Sequence, residues 1–85
     1  MNIKEEISYL ETYINENQNE ALKRMTDLYK EASKNYYYDV CDAIDLWIYE
    51  TKNKSIINYI NEKREKEPDK YLKKKYEEWI KWIGE

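Results

Sequence analysis

The stretch from Tyr36 to Lys52 reads YYYDVCDAIDLWIYETK, and it decides the fold. On a wheel of about 100° per residue, Tyr37, Val40, Cys41, Ile44, Trp47, Ile48 and Thr51 share one arc of roughly 120°. The opposite arc holds Asp39, Asp42, Asp45 and Glu50, as a face turned to water should. Apolar residues here recur at three and four positions, which is the helical period.

The same spacing extends to both sides. Ile3, Ile7, Leu10 and Ile14 form a narrow stripe, the seam of a helix packed on another helix. Asn17 followed by Glu20 three residues later reads as a capping box that restarts the chain as a second helix. One continuous helix from Ile3 to Lys34 is the alternative, since no Gly or Pro forces the break. The second helix packs Ala21, Leu22, Met25, Leu28, Tyr29 and Ala32, and Asn35 bounds it. After a turn at Asn53 and Lys54, Ser55 can cap a helix carrying Ile56, Ile57, Tyr59 and Ile60. Pro68, tolerated in a first turn, opens a last helix that buries Leu72, Tyr76, Trp79, Ile80 and Ile83, with Gly84 beyond its end. The expectation is an all-α, compact bundle of four to five short helices, at approximately 3–15, 18–34, 36–52, 55–66 and 68–83. It forms one domain over residues 1–85.

The apolar inventory is ten Ile, five Leu and one Val, with no Phe but ten Tyr and three Trp. Tyr should therefore supply much of the core, with its hydroxyls reaching the rim. Ile, Lys, Asn and Tyr make up 41 residues, a skew that mirrors AT-rich codons and points to a low-GC bacterium or its phages and plasmids. The net charge of −3 is unevenly spread. No Lys or Arg falls between Asn35 and Thr51, whereas the chain beyond Thr51 has ten Lys and Arg against seven Asp and Glu. One cysteine forms no internal disulfide, residues Met1 to Glu6 lack a signal-peptide pattern, and the longest apolar run, Leu46 to Tyr49, is too short to span a bilayer. A cytoplasmic protein with no membrane association is expected.

Several chemistries lack their groups. There is no His, hence neither the commonest general base nor the commonest metal ligand. One Cys without His cannot complete a tetrahedral zinc site, and Cys41 beside Ile44 and Ile48 reads as a small buried hydrophobe. Ser8, Ser33 and Ser55 have no base to activate them, and no Gly-rich loop can cradle a phosphate. Asp39, Asp42 and Asp45 recur every third position, but a solvated acidic face accounts for them without a metal. The expectation is no enzyme, no cofactor and no metal.

Tyr38, Leu46 and Tyr49 sit among the acids of the third helix. An apolar cluster ringed by charge of one sign has the composition of a protein-binding patch. The candidate site is therefore Tyr38, Asp39, Asp42, Asp45, Leu46, Tyr49 and Glu50, and its partner a protein with a basic surface. If this helix is instead the centre of the bundle, Leu46 and Tyr49 are core. In the last helix, Lys70, Lys73, Lys74 and Lys81 line one side, while Tyr71 and Trp82 lie off the core stripe as a candidate homodimer seam. Nearby Asp69, Glu77, Glu78 and Glu85 nearly cancel that charge, which speaks against a membrane-lying helix. A helix-turn-helix reading would present Asn58, Asn61, Lys63 and Arg64 to nucleic acid, but an acid-rich first helix repels phosphate. The functional expectation is an inhibitor of phage or plasmid type that blocks a basic, nucleic-acid-handling site on a larger protein. The alternatives are an immunity protein or antitoxin, a DNA-binding regulator, and a self-assembling helical module.

Overall fold

Three of the five helices, α1, α2 and α5, start where a side chain takes over their orphaned backbone donors. In the computed structural model, which describes residues Asn2 to Glu85, the Asn2 carboxamide accepts from Glu5 N–H at 2.9 Å and opens α1, Ile3–Tyr13. The chain turns where Glu16 and Asn17 both donate to the Tyr13 carbonyl. Asn17 then caps α2, Gln18–Lys34, by accepting from Glu20 N–H at 3.3 Å. The break between the two helices is therefore real, and the continuous alternative falls. Three more helices follow: α3, Tyr38–Thr51; α4, Ile57–Lys66; and α5, Lys70–Gly84. The described chain is all-α.

The first helix ends at Tyr13 and not near 15, and the third begins at Tyr38 and ends at Thr51, so Tyr36, Tyr37 and Lys52 stand outside it. Three further boundaries also differ from expectation. Ser55 does not cap the fourth helix. Asn53 accepts from Ser55 N–H at 2.9 Å and opens a single 3-10 turn, Lys54–Ile56, from which α4 continues. Pro68 stands outside α5, because the Asp69 carboxylate accepts from both Tyr71 N–H (2.8 Å) and Leu72 N–H (3.2 Å) and so takes the capping position. Gly84 is the last residue of α5 and not the residue beyond it: Glu85 N–H still reaches the Lys81 carbonyl at 3.1 Å.

The hub is α2, which touches α1, α3, the 3-10 turn and α4, and buries Ala21, Leu22, Met25, Thr26, Leu28, Tyr29 and Ala32. Thr26 is satisfied there by donating to the Lys23 carbonyl at 2.6 Å. Around it, Ile3, Ile7, Leu10, Ile14, Val40, Cys41, Ile44, Ile48, Ile56, Ile60, Leu72, Tyr76, Trp79 and Ile83 close one continuous core. The Cα radius of gyration, 11.9 Å, equals the ~12 Å expected of a compact chain of this length. Arg24 holds α1 to α2 with a forked pair of bonds to Glu6, and this keeps the Glu6 carboxyl below its usual range. No described helix is long and apolar enough to cross a membrane.

One compositional expectation fails. Of the ten Tyr only Tyr29 and Tyr76 are buried, whereas Tyr9, Tyr36, Tyr37, Tyr38, Tyr49 and Tyr71 are exposed. Ile, Leu, Met25, Trp79 and a few small residues need only these two Tyr to complete the core, and the other aromatics lie at its margin or outside.

Candidate protein-binding face

The sequence left open whether α3 is a central helix. It is not: α3 buries Val40, Cys41, Ile44 and Ile48 against α2 and α5 and turns its other side outward. Cys41 is a free, buried side chain packed with Ile44 and Ile48; burial, with Asp45 adding to it, raises its thiol above the ordinary value and disfavours the thiolate.

The outward side carries Tyr38 (66% exposed), Leu46 (58%) and Tyr49 (48%), with Asp42 between the first two. Tyr36 (74%) leans on Tyr38 at 6.2 Å between ring centres, and with Tyr71 (88%) it lines an open cleft of about 800 Å³ between the end of α2 and the start of α5. At the other end Tyr49 meets Trp82 edge-on at 6.0 Å. Tyr36, Tyr38, Leu46, Tyr49 and Tyr71 together expose roughly 650 Å² at about 200 Å² for a fully exposed large side chain. That is the upper end of what soluble monomers leave uncovered.

The acids of the face divide into two groups. Asp39 is exposed and pairs with Lys4 at 3.4 Å; its carboxyl lies below the usual range, held first by the Val40 N–H and then by Lys4. Asp45 turns away from the patch. It accepts from the buried Trp79 indole N–H at 2.8 Å and from Lys75 at 3.3 Å, so its task is to tie α3 to α5. Only Asp42 and Glu50 are exposed acids of the face without a salt bridge among the described residues. The candidate face is thus brought together as Tyr38, Asp42, Leu46, Tyr49 and Glu50. Asp39 stands at its neutralised edge, and Asp45 beneath it as a structural support.

The sequence missed Tyr36. It occupies the first position past the cap of α2 in a complete Schellman turn: Tyr37 N–H donates to the Ala32 carbonyl at 2.9 Å and Tyr36 N–H to the Ser33 carbonyl at 3.2 Å. The turn requires a left-handed residue, and Tyr36 has φ 58° where glycine is the usual occupant. Lys52 is also left-handed, φ 44°, but its ammonium compensates by bonding the Trp82 carbonyl at 3.1 Å and lying 4.4 Å from the Tyr49 ring. Tyr36 gains nothing comparable inside the molecule. Tyr36→Gly should therefore raise stability by about 1 kcal/mol, net of the extra freedom glycine has when unfolded, and raise the melting temperature by about 4–8 °C. Thermal unfolding followed by circular dichroism checks this; a lowered midpoint would show that the ring supports the fold.

Of the four side chains of the helix-turn-helix reading, Lys63 pairs with Asp27, Arg64 reaches Asn61 at 3.1 Å and Glu77 at 3.5 Å, and Asn58 is exposed. On α5, Trp82 is half-buried between Tyr49 and Lys75, and Tyr71 is fully projecting. No family model, curated protein or solved structure matches this chain.

Proposed function

We propose that the protein is a small non-catalytic binding module that uses the outer face of α3 to block a basic, nucleic-acid-handling site on a larger protein, as an inhibitor of phage or plasmid type. The observation that carries this reading is the placement of the tyrosines. A core that needs only Tyr29 and Tyr76 leaves six others exposed, and Tyr38 and Tyr49 flank Leu46 beside two unpaired acids. Rigid aromatic anchors within a charged border are the side chains that dominate binding energy at interfaces, and acids at the border speed encounter with a basic surface. An immunity protein or antitoxin would use the same face, and the identity of the captured toxin distinguishes it. A homodimer through Tyr71 and Trp82, or a self-assembling module, is supported by the exposure of Tyr71. A DNA-binding regulator is weaker, because Lys63 and Arg64 are already paired.

The test is a double substitution, Leu46→Asp with Tyr49→Ala. Leu46 is exposed, and Tyr49 gives up only its edge contact with Trp82 and the Lys52 ammonium over its ring, so helicity should be kept and stability should fall by no more than about 1–2 kcal/mol. Affinity for a partner purified by capture on the wild-type protein should fall at least hundredfold, as two hot-spot losses of about 2 kcal/mol each imply. The partner should also lose its nucleic-acid binding when the wild-type chain is added. Undiminished affinity of the double variant would remove α3 as the binding face.

A further inference from the structure

The α3 face is one half of a larger surface. Asp45 reaches Lys75 and Trp79, Tyr49 meets Trp82, and Tyr36 connects Tyr38 with the Tyr71 cleft. These contacts set α3 and α5 side by side and pointing the same way, with position 45 level with about 77 at 1.5 Å per residue. Asp42 is then level with Lys74, Leu46 with Glu78, and Tyr38 with Lys70, next to Tyr71.

The two halves carry opposite unpaired charge. On α3 the unpaired groups are Asp42 and Glu50. At the cleft, Lys74 of α5 and Lys34 at the end of α2 have no acid partner among the described residues, while the cleft acids are occupied: Glu78 with Lys75 at 3.7 Å, and Asp69 in capping α5. We infer that the α3–α5 surface is covered by a second copy of this chain, in a twofold dimer that lays α3 of one protomer on α5 of its partner.

Charge selects the axis. A twofold axis running along the two helices keeps every height and exchanges left for right, so Asp42 faces Lys74 of the partner copy, twice per dimer, and Tyr38 comes next to its Tyr71. An axis across the helices would set α3 on α3 and oppose like charges, which interfaces avoid at a cost of several kcal/mol. Two helices about 21 Å long and about 10 Å apart bury on the order of 1,200 Å² in total when doubled, the lower limit for a specific interface. An interface at that limit suits a transient dimer, which competes with any partner of the α3 face. This inference shares that face with the proposed inhibitor but does not depend on its partner.

The test needs only the purified chain. Sedimentation equilibrium over a roughly hundredfold range of concentration should show the mass rising from 10.6 kDa toward twice that value, less so in high salt. Asp42→Lys and Lys74→Glu should each raise the dissociation constant about tenfold or more, and the combined variant should restore it, because the reversed charges meet across the axis. Tyr36→Gly should weaken the dimer while stabilising the fold. A monomer at every concentration overturns the inference, and so does a dimer indifferent to either single charge reversal or one that the double reversal fails to rescue. Partner capture through Leu46 and Tyr49 is read separately, so either result can fail alone.

Discussion

Trp79→Ala should lower the melting temperature by about 15–30 °C, the largest effect of any single truncation in the core. The indole is fully buried and packs edge-on to Tyr29 (5.0 Å between ring centres, 84° between planes) and tilted against Tyr76 at 5.4 Å. Truncating a buried Trp removes about 3–5 kcal/mol. A domain of this size has on the order of 5–10 kcal/mol in all, and each kcal/mol moves its midpoint by about 4–8 °C. The substitution also removes the donor that Asp45 accepts from, leaving that half-buried carboxylate with Lys75 alone. Trp79→Phe separates the two contributions. It keeps most of the ring and loses the N–H, so its loss should be about 1–2 kcal/mol, the cost of an unmade bond to a charged acceptor. Thermal and urea unfolding followed by far-ultraviolet circular dichroism measure both. A loss below about 1 kcal/mol for Trp79→Ala would mean that the tie from α3 to α5 is not what holds the last helix in place.

That tie marks where the sequence could be read and where it could not. The stripes of α1, α2 and α3 were legible, because period and composition are local and one core needs little else: Ile3, Ile7, Leu10, Ile14, Leu22, Met25, Ile44 and Ile48 are all buried as their spacing predicts. The break at Asn17 was legible for the same reason, since a cap and its N–H partner lie three residues apart. Asp45 was not. On the wheel it belongs with Asp42 and Glu50, and only the arrival of α5, some 30 residues later in the chain, turns it into a partner of Lys75 and Trp79. Lys4 reached Asp39 in the same way from α1. Charge in a segment can be counted locally, whereas neutralisation is tertiary, so the acidic face read from sequence was larger than the one that folds.

The tyrosines failed for a different reason. Burying ten phenols requires ten satisfied hydroxyls, a demand that composition alone does not reveal, and the fold meets it by leaving most of them outside. Tyr36 shows this most sharply. A Tyr triplet before a helix does not disclose that its first member must be left-handed, because that follows from the Schellman turn closing α2. Where local rules favour glycine and an exposed aromatic stands instead, stability has been given up for a side chain that the fold itself does not use.

The two buried tyrosines and half-buried Tyr59 should make the fold base-labile, with a sharp alkaline limit. Burial raises the Tyr76 phenol from its ordinary 10 to about 12, with nearby Glu67 and Asp27 adding to it. Burial and then the bond to Asp27, at 2.8 Å, bring Tyr59 to about 12 as well, and burial with the charge of Asp45 pushes Tyr29 higher still. The sign follows from proton counting. Above pH 10 the unfolded chain gives up these protons and the folded chain keeps them, so folding binds more protons and stability falls as pH rises. The contribution is complete below pH 10 and is lost on the way to pH 12. Each fully protected phenol adds a slope of about 1.4 kcal/mol per pH unit, and three of them give up to about 4, less for Tyr59, which solvent partly reaches. A domain holding about 5–10 kcal/mol should then unfold cooperatively between about pH 11 and 12, with helicity lost in the same step in which the buried tyrosinates appear in near-ultraviolet absorbance. Tyr76→Phe removes one of those protons from a hydroxyl that makes no side-chain hydrogen bond among the described residues, so it should be close to neutral at pH 7 and shift the transition upward with a shallower slope. Helicity that survives the full appearance of tyrosinate, or a transition that Tyr76→Phe leaves in place, would show that the buried phenols do not set this limit.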